Sequence, residues 1–323
     1  MRAVGFDVNG GPEVLRPVEL PVPEPGPGQV LIRVAYAGVN YGEVQHRLGD
    51  FGPPDGITVP GTEVSGEIAA LGDDVAGLAL GDHVAAYLPD GGGYAEYAVA
   101  PADFAFPLDG ISLRDGGGAA LVLTTAYGVL AGAARLTAGD SVLIHAAAGG
   151  VGSAAAQIAR ALGAAAVHGT VRSPEKAEYA KRFGYDAVLL RDTFPADLAA
   201  TGTEIDVVLD PVGGPARLAS LDVLAPFGRV VVYGDAAREP DLSLPVLPLW
   251  KQNRSVCGYN IGDLGRRAPS VVRGHALAAL SLLASGAIRL DITAELSLAA
   301  AFQAHHALEE GTSRGKVLLK IDA

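Results

Sequence analysis

Along roughly the first 110 residues, apolar and polar positions alternate with a period of two, broken by turn residues. The stretches QVLIRVAYAGV (Gln29 to Val39), VSGEIAAL (Val64 to Leu71) and DHVAAYL (Asp82 to Leu88) predict strands with one buried face. PVPEPGPG (Pro21 to Gly28) predicts a stiff connector. An Ala/Leu-rich segment, Asp115 to Ala134, predicts a helix. From Ser141 the rhythm changes. SVLIH, AAVHGT, AVLL, DVVLD, RVVVYG and SVCGYN predict strands, and helical stretches separate several of them. Strands and helices in alternation with short loops predict a parallel sheet covered on both faces. After Gly262 a long Ala/Leu helix is expected to Ser285, and GKVLLKI (Gly315 to Ile321) predicts a strand that returns to the first half. The fold class is therefore α/β: a β-rich domain, with a doubly wound parallel sheet inserted into it. The expected limits are 1–122 for the β-rich domain, 123–262 for the parallel-sheet domain and 263–323 for the return.

Composition sharpens this picture without changing it. A chain of 323 residues, 49% apolar and 19% charged, is globular and long enough for two domains. The 43 glycines and 21 prolines suit many strands joined by tight turns. A formal net charge of −12 argues against nucleic acid or an anionic membrane as partner. Any anion must be held by local donors. The N-terminal MRAVGFDVNGGPEVL has neither the basic nor the apolar region of a signal peptide, and no long apolar run is present. The expectation is a cytoplasmic protein. Cys257, the single cysteine, reads as a buried thiol in an apolar strand; one cysteine permits neither an internal disulfide nor a cysteine-based zinc site.

The chemistry concentrates in SVLIHAAAGGVGSAAAQIARALGA, Ser141 to Ala164. A helix N-terminus presents free N–H groups and a partial positive charge, so it can hold a phosphate if the backbone comes close. Gly149, Gly150 and Gly152 allow that approach, with Val151 between them. Ala147 stands where the first glycine of a G-x-G-x-x-G loop would be. At the end of the second strand an NAD site wants a carboxylate for the ribose hydroxyl. Here the chain reads HGTVRSPEK: Thr170, Arg172, Ser173 and Lys176 offer two hydroxyls and two cations. That set suits a ribose 2′-phosphate and hence NADPH. Ser173 and Pro174 also read as a helix start.

Several separate stretches then resemble one family. HAAAGGVGSAAAQIARALGA, GVNYGEVQHRLGDF, PGTEVSGEIAALGDDV, GGYAEYAVAPAD, LTTAYGVL and GKVLLKI are similar to the medium-chain dehydrogenase/reductase superfamily, in its zinc-free branch of quinone oxidoreductases and enoyl reductases. The resemblance covers essentially the whole chain. It implies a GroES-like β-domain and a Rossmann domain with the active site in the cleft between them. It also implies hydride transfer from NADPH to a quinone or to the C=C of an α,β-unsaturated carbonyl. A non-catalytic NADPH-binding protein of structural or sensing role is the alternative.

Carried over residue by residue, the resemblance places Asn40 and Thr125 at the nicotinamide and Gly149 to Gly152 at the pyrophosphate. Thr170, Arg172, Ser173 and Lys176 would meet the ribose phosphate. Gly258, Tyr259 and Asn260, with Arg314, Gly315 and Lys316, would close over the cofactor. The zinc enzymes of the superfamily carry a cysteine near position 40 and a Gly-His-Glu motif. Here Asn40 and Gly61-Thr62-Glu63 stand instead, so no metal is expected. Relatives present a proton-donating tyrosine where this chain has Phe51, and Gln45 occupies an inner position. Tyr41, His46 and Tyr259 are the remaining candidates by sequence, or water. The loops Gly49 to Pro60 and Leu242 to Asn253 would set substrate size. The run from FGRVVVYG to SVCGYN predicts an apolar edge strand, for which the family implies pairing with a second copy in a homodimer.

Overall fold

The computed structural model describes residues 1–240, 243–244 and 246–322. The chain forms two units, Met1–Val122 with Pro269–Ala284 and Leu290–Ala323, and Leu123–Ala268 with Ser285–Arg289. In the first, β1 (Arg2–Gly5) pairs antiparallel with β2 (Arg16–Glu19). β3 (Gln29–Val39) follows the proline-rich connector, and its alternation buries Val30, Ile32 and Val34 while Arg33 points outward to an ion pair with Glu67 across the ladder. The helix α1 (Tyr41–Leu48) comes next, and its signature is local. Glu43 accepts a hydrogen bond from the Asn40 N–H at 2.9 Å, and Gly49 ends the helix at φ +93. β4 (Glu63–Leu71), β5 (His83–Tyr87), β6 (Tyr97–Pro101), β7 (Ala105–Pro107) and the single turn α2 (Leu113–Gly116) complete this part.

The helix expected over 115–134 is broken. α2 stops at Gly116, and α3 (Val122–Tyr127) runs into a π-helical segment, Gly128–Ala134. The interruption is the run Gly116–Gly118, where neighbours press on the backbone: a methyl on Gly117 would lie 2.4 Å from Tyr36 Cβ.

The second unit continues from α3 with β8 (Ser141–Ile144), α4 (Gly150–Ala161), β9 (Ala166–Val171), α5 (Pro174–Ala180), β10 (Ala187–Leu190) and α6 (Phe194–Thr201). Then come β11 (Ile205–Asp210), α7 (Gly214–Asp222), β12 (Leu224–Val232), α8 (Val246–Gln252), β13 (Ser255–Gly258) and α9 (Ile261–Arg267). All six strands pair in parallel in the order β10-β9-β8-β11-β12-β13. The order reverses between β8 and β11, the switch point at which doubly wound sheets bind ligands. The stretch Leu242 to Asn253, expected as a loop, contains the helix α8; Asp241, Leu242 and Pro245 lie outside the described residues.

The chain returns to the first unit through α10 (Pro269–Ala284), β14 (Ile292–Ser297), α11 (Ala301–Glu309) and β15 (Lys316–Lys320). The single long helix expected after Gly262 is two, α9 and α10. Pro269 disfavours helical geometry at Ala268, which sits at φ −147. β15 pairs antiparallel with β3, Val317 opposite Val39, in a sheet of order β14-β15-β3-β4-β5-β7 whose seventh strand, β6, pairs with β3. Its core gathers Val30, Ile32, Val64, Ile68, Val84 and Leu319. Among the described residues no helix is long and apolar enough to cross a membrane.

Candidate functional site

In the second unit the loop between β8 and α4 is shaped by backbone contact. Gly149 is the N-cap and brings no side chain to the helix start. The first intrahelical bond is Ser153 N to Gly149 O at 2.9 Å, so the N–H groups of Gly150, Val151 and Gly152 open the helix. Gly152 is required by packing, since a methyl there would fall 2.4 Å from Ala146 O. Ala146 itself takes a left-handed φ of +54. Ala147 is accommodated by its neighbour strand: a methyl on Gly169 of β9 would lie 2.6 Å from Ala147 Cβ. The glycine missing from the loop is thus supplied across the sheet. The Tyr185 hydroxyl donates to Gly152 O at 2.8 Å, and burial holds its pKa far above the usual range.

At the end of β9 the side chains divide. Thr170, assigned to the ribose phosphate, is fully buried, and its hydroxyl lies 2.7 Å from His145 Nδ1. The strand continues one residue past it, to Val171, so Thr170 points into the core and its side chain is removed from the phosphate set. Arg172 is exposed, Lys176 is half-buried, and Ser173 caps α5 by accepting from Lys176 N at 3.4 Å. Glu175 stands in the same first turn, and the hydrogen bond from Ser173 holds its carboxyl below the usual range.

Sequence reasoning missed Asp210. It closes β11, is fully buried, accepts from Val212 N at 2.7 Å and Gly213 N at 3.0 Å, and pairs with Arg217 Nε at 2.6 Å. Arg217 also donates to Gly234 O at 2.8 Å, which ties the turns after β11 and β12 together. The acid at a strand end before PVGG was the available signal. Tyr259, expected at the cofactor and as a catalytic group, is 8% exposed, and a methyl on Gly128 would lie 2.2 Å from its hydroxyl oxygen. Its phenol is packed onto the helix that Gly128 leaves open. Asn260 is exposed and caps α9 through Asp263 N at 3.0 Å. Thr125 lies buried in α3.

In the first unit the candidates converge on a buried polar cluster. Asn40, half-buried, precedes α1, and Tyr41 opens it. Glu43 accepts from the Thr62 N–H at 2.8 Å, the Thr62 hydroxyl at 2.7 Å and the Tyr94 hydroxyl at 2.7 Å. Burial, then the charge and hydrogen bond of Glu43, raise the Tyr94 pKa well above its ordinary value. Tyr94 in turn accepts from His305 Nε2 at 3.1 Å, which leaves His305 Nδ1 without a partner among the described residues. Burial and the Arg47 charge push His305 down to about 3. Lys316, expected over the cofactor, is instead 2% exposed and pairs with Glu63 at 2.5 Å. His46 packs edge-on between Phe6 and the exposed Phe51.

The two units match two known families. Residues 26–110 match the alcohol dehydrogenase GroES-like domain and residues 150–280 the zinc-binding dehydrogenases. A quinone oxidoreductase of Pseudomonas aeruginosa is 32% identical over 98% of this chain and 99% of its own, and one of Mus musculus 33% identical over 99% and 97%. The chain belongs to the quinone oxidoreductase family of the medium-chain dehydrogenase/reductases. The Escherichia coli quinone oxidoreductase complexed with NADPH superposes with a TM-score of 0.89 at 28% identity, covering 99% of this chain and 100% of that one.

Within this family of oxidoreductases, one of the two matched domains is described as zinc-binding, and the residues here do not fit that ion. No group of three His, Cys, Asp or Glu side chains converges among the described residues. The acids Glu43 and Glu63 already accept from Thr62, Tyr94, Asn40 and Lys316, and the Lys316 ammonium occupies the approach to Glu63. A dication there would meet a like charge and no soft ligand. Cys257 lies on β13 of the other unit, half-buried, and burial raises its thiol.

Proposed function

We propose that this protein is an NADPH-dependent reductase that transfers hydride, without zinc, to a quinone or to the C=C of an α,β-unsaturated carbonyl. The observation that carries the reading is the open first turn of α4 at the switch point of the sheet, with Gly149 and Gly152 keeping the backbone clear for a pyrophosphate. The kinship with NADPH-complexed quinone oxidoreductase structures supports the same cofactor. When bound, the reduced nicotinamide supplies the hydride. Arg172 and Lys176 hold the ribose phosphate, and Asn40 and Thr125 line the nicotinamide. In a quinone or enone, the charge that develops on oxygen is delocalised, so hydrogen-bond donors suffice where an isolated carbonyl would want a Lewis acid. Phe51 offers no proton, and water delivers it to the reduced product. The lone thiol fits a reducing cytoplasm.

The protein is further proposed to pair with a second copy along β13, the last strand of its sheet. Phe227, Val246, Leu247 and Trp250, all exposed, belong to the same unit and precede it in sequence. Light scattering at micromolar protein checks this, and a monomer refutes it.

The catalytic reading is tested by following NADPH and NADH oxidation against a panel of quinones and enones. A charge-assisted contact to phosphate is worth about tenfold at an exposed site, so NADPH should lead NADH by about that factor in kcat/KM. Arg172→Ala should erase most of the preference and leave NADH nearly unchanged. An equal loss with both coenzymes overturns the assignment of this loop. If no quinone or enone is reduced, the non-catalytic reading replaces it.

A further inference from the structure

Two glycines of the first unit are bare because an ion pair needs their space. A methyl on Gly38 would lie 2.4 Å from Glu63 Oε1, and one on Gly118 2.8 Å from Lys316 Cγ. Between them Lys316 and Glu63 meet with side chains 2% and 0% exposed. The Lys316 ammonium has three protons and three oxygens around it: Glu63 Oε1 at 2.5 Å, Asn40 Oδ1 at 2.6 Å and Val39 O at 2.9 Å. Its donors are fully used inside the unit. Replacing such a pair by apolar side chains of the same volume is often neutral or stabilising, so the pair by itself is weak evidence of a stabilising role.

We propose that Lys316 is a positioning residue that holds the Asn40 amide in one of its two orientations. This rests on the reading of Asn40 as a nicotinamide-lining residue. The oxygen and nitrogen of a carboxamide are nearly the same size, so only the surroundings choose between them. On one side stands the Lys316 ammonium, which requires an acceptor. On the other stand Glu63 Oε1 at 3.1 Å and Glu43 Oε1 at 3.3 Å from Asn40 Nδ2, which require a donor. A flip would set an NH2 against an ammonium and a carbonyl against two carboxylates. Neither acid is free to turn away. Glu63 Oε2 accepts from Leu121 N at 2.8 Å, and Glu43 Oε2 from Asn40 N at 2.9 Å and Tyr94 at 2.7 Å. Lys316 thereby decides which end of the amide is turned toward it and which toward the two acids.

Lys316→Met alone would leave Glu63 buried without its cation and can fail to fold. The test is therefore Lys316→Met with Glu63→Gln, which neutralises both, alone and combined with Asn40→Ala. The neutral pair should melt near the wild type, bind NADPH with unchanged affinity, and lose about ten- to hundredfold in kcat, the cost of a misplaced site group. In the Asn40→Ala background the neutral pair should cost no further activity. The side-chain amide resonances of Asn40 in 15N spectra should shift and exchange faster with water in the neutral pair. Unchanged Asn40 resonances, or losses that add in the combined variant, overturn the positioning role. If the resonances change and kcat does not, the positioning stands and the placement of Asn40 at the nicotinamide falls.

Discussion

Lowering the pH from 7 to 5 should destabilise the second unit by about 2 kcal/mol through His145 alone. The ring is locked as one neutral tautomer. Ser220 Oγ gives its proton to Ala216 O at 2.7 Å and so accepts from His145 Nε2 at 2.8 Å, while Nδ1 accepts from the Thr170 hydroxyl at 2.7 Å. Phe194 covers the ring edge-on at 5.2 Å. A second proton, on Nδ1, would be accepted only if the Thr170 hydroxyl turned its own hydrogen away. Burial pushes the pKa down to about 4, with Arg191 adding to the depression and Asp210 opposing it. In the unfolded chain a histidine titrates near ~6.5. The folded pKa lies below the unfolded one, so between them the unfolded state binds more protons and stability falls as the pH falls. The unfolded state gains about 2 kcal/mol from protonation at pH 5 and about 0.2 at pH 7, and the folded state gains almost nothing at either. The assay is urea unfolding at pH 7, 6 and 5, followed by the fluorescence of Trp250, the single tryptophan, which lies in the second unit. His145→Gln should start less stable at pH 7 but lose about 2 kcal/mol less on acidification. Parallel pH curves for the two proteins would refute the assignment of a neutral, locked imidazole. His305, pushed to about 3 in the first unit, should act in the same direction there.

Gly152→Ala sets a methyl 2.4 Å from Ala146 O, so the helix start must move; about 1–3 kcal/mol of overpacking and a loss of NADPH affinity beyond tenfold are expected, read by thermal melting and by fluorescence titration with NADPH. Arg217→Met leaves Asp210 buried with two backbone donors and no cation, and should cost about 3–5 kcal/mol, seen as a melting point lower by roughly 10 °C.

The architecture was legible because its signals are local. Alternation at period two marked β3, β4 and β5, and the strand–glycine–helix rhythm marked β8 and α4. A residue's burial repeats with the geometry of its own element, so a short window suffices. The helix α1 carries the same kind of local signal in Asn40, Glu43 and Gly49. What neighbours in sequence do not determine is where a polar side chain finds its partner. Thr170 follows an apolar strand like any tip residue, yet its hydroxyl turns inward because His145, 25 residues earlier, needs a donor in a place water cannot reach. Lys316 looks from the sequence like a lysine at a strand edge. The pairing of Val317 with Val39 carries it beside Asn40, 276 residues away, and Gly38 and Gly118 make the room. Glycines announced that something comes close. Only the folded chain decided what, because a buried charge is placed by the groups that can satisfy it, and those arrive from distant strands.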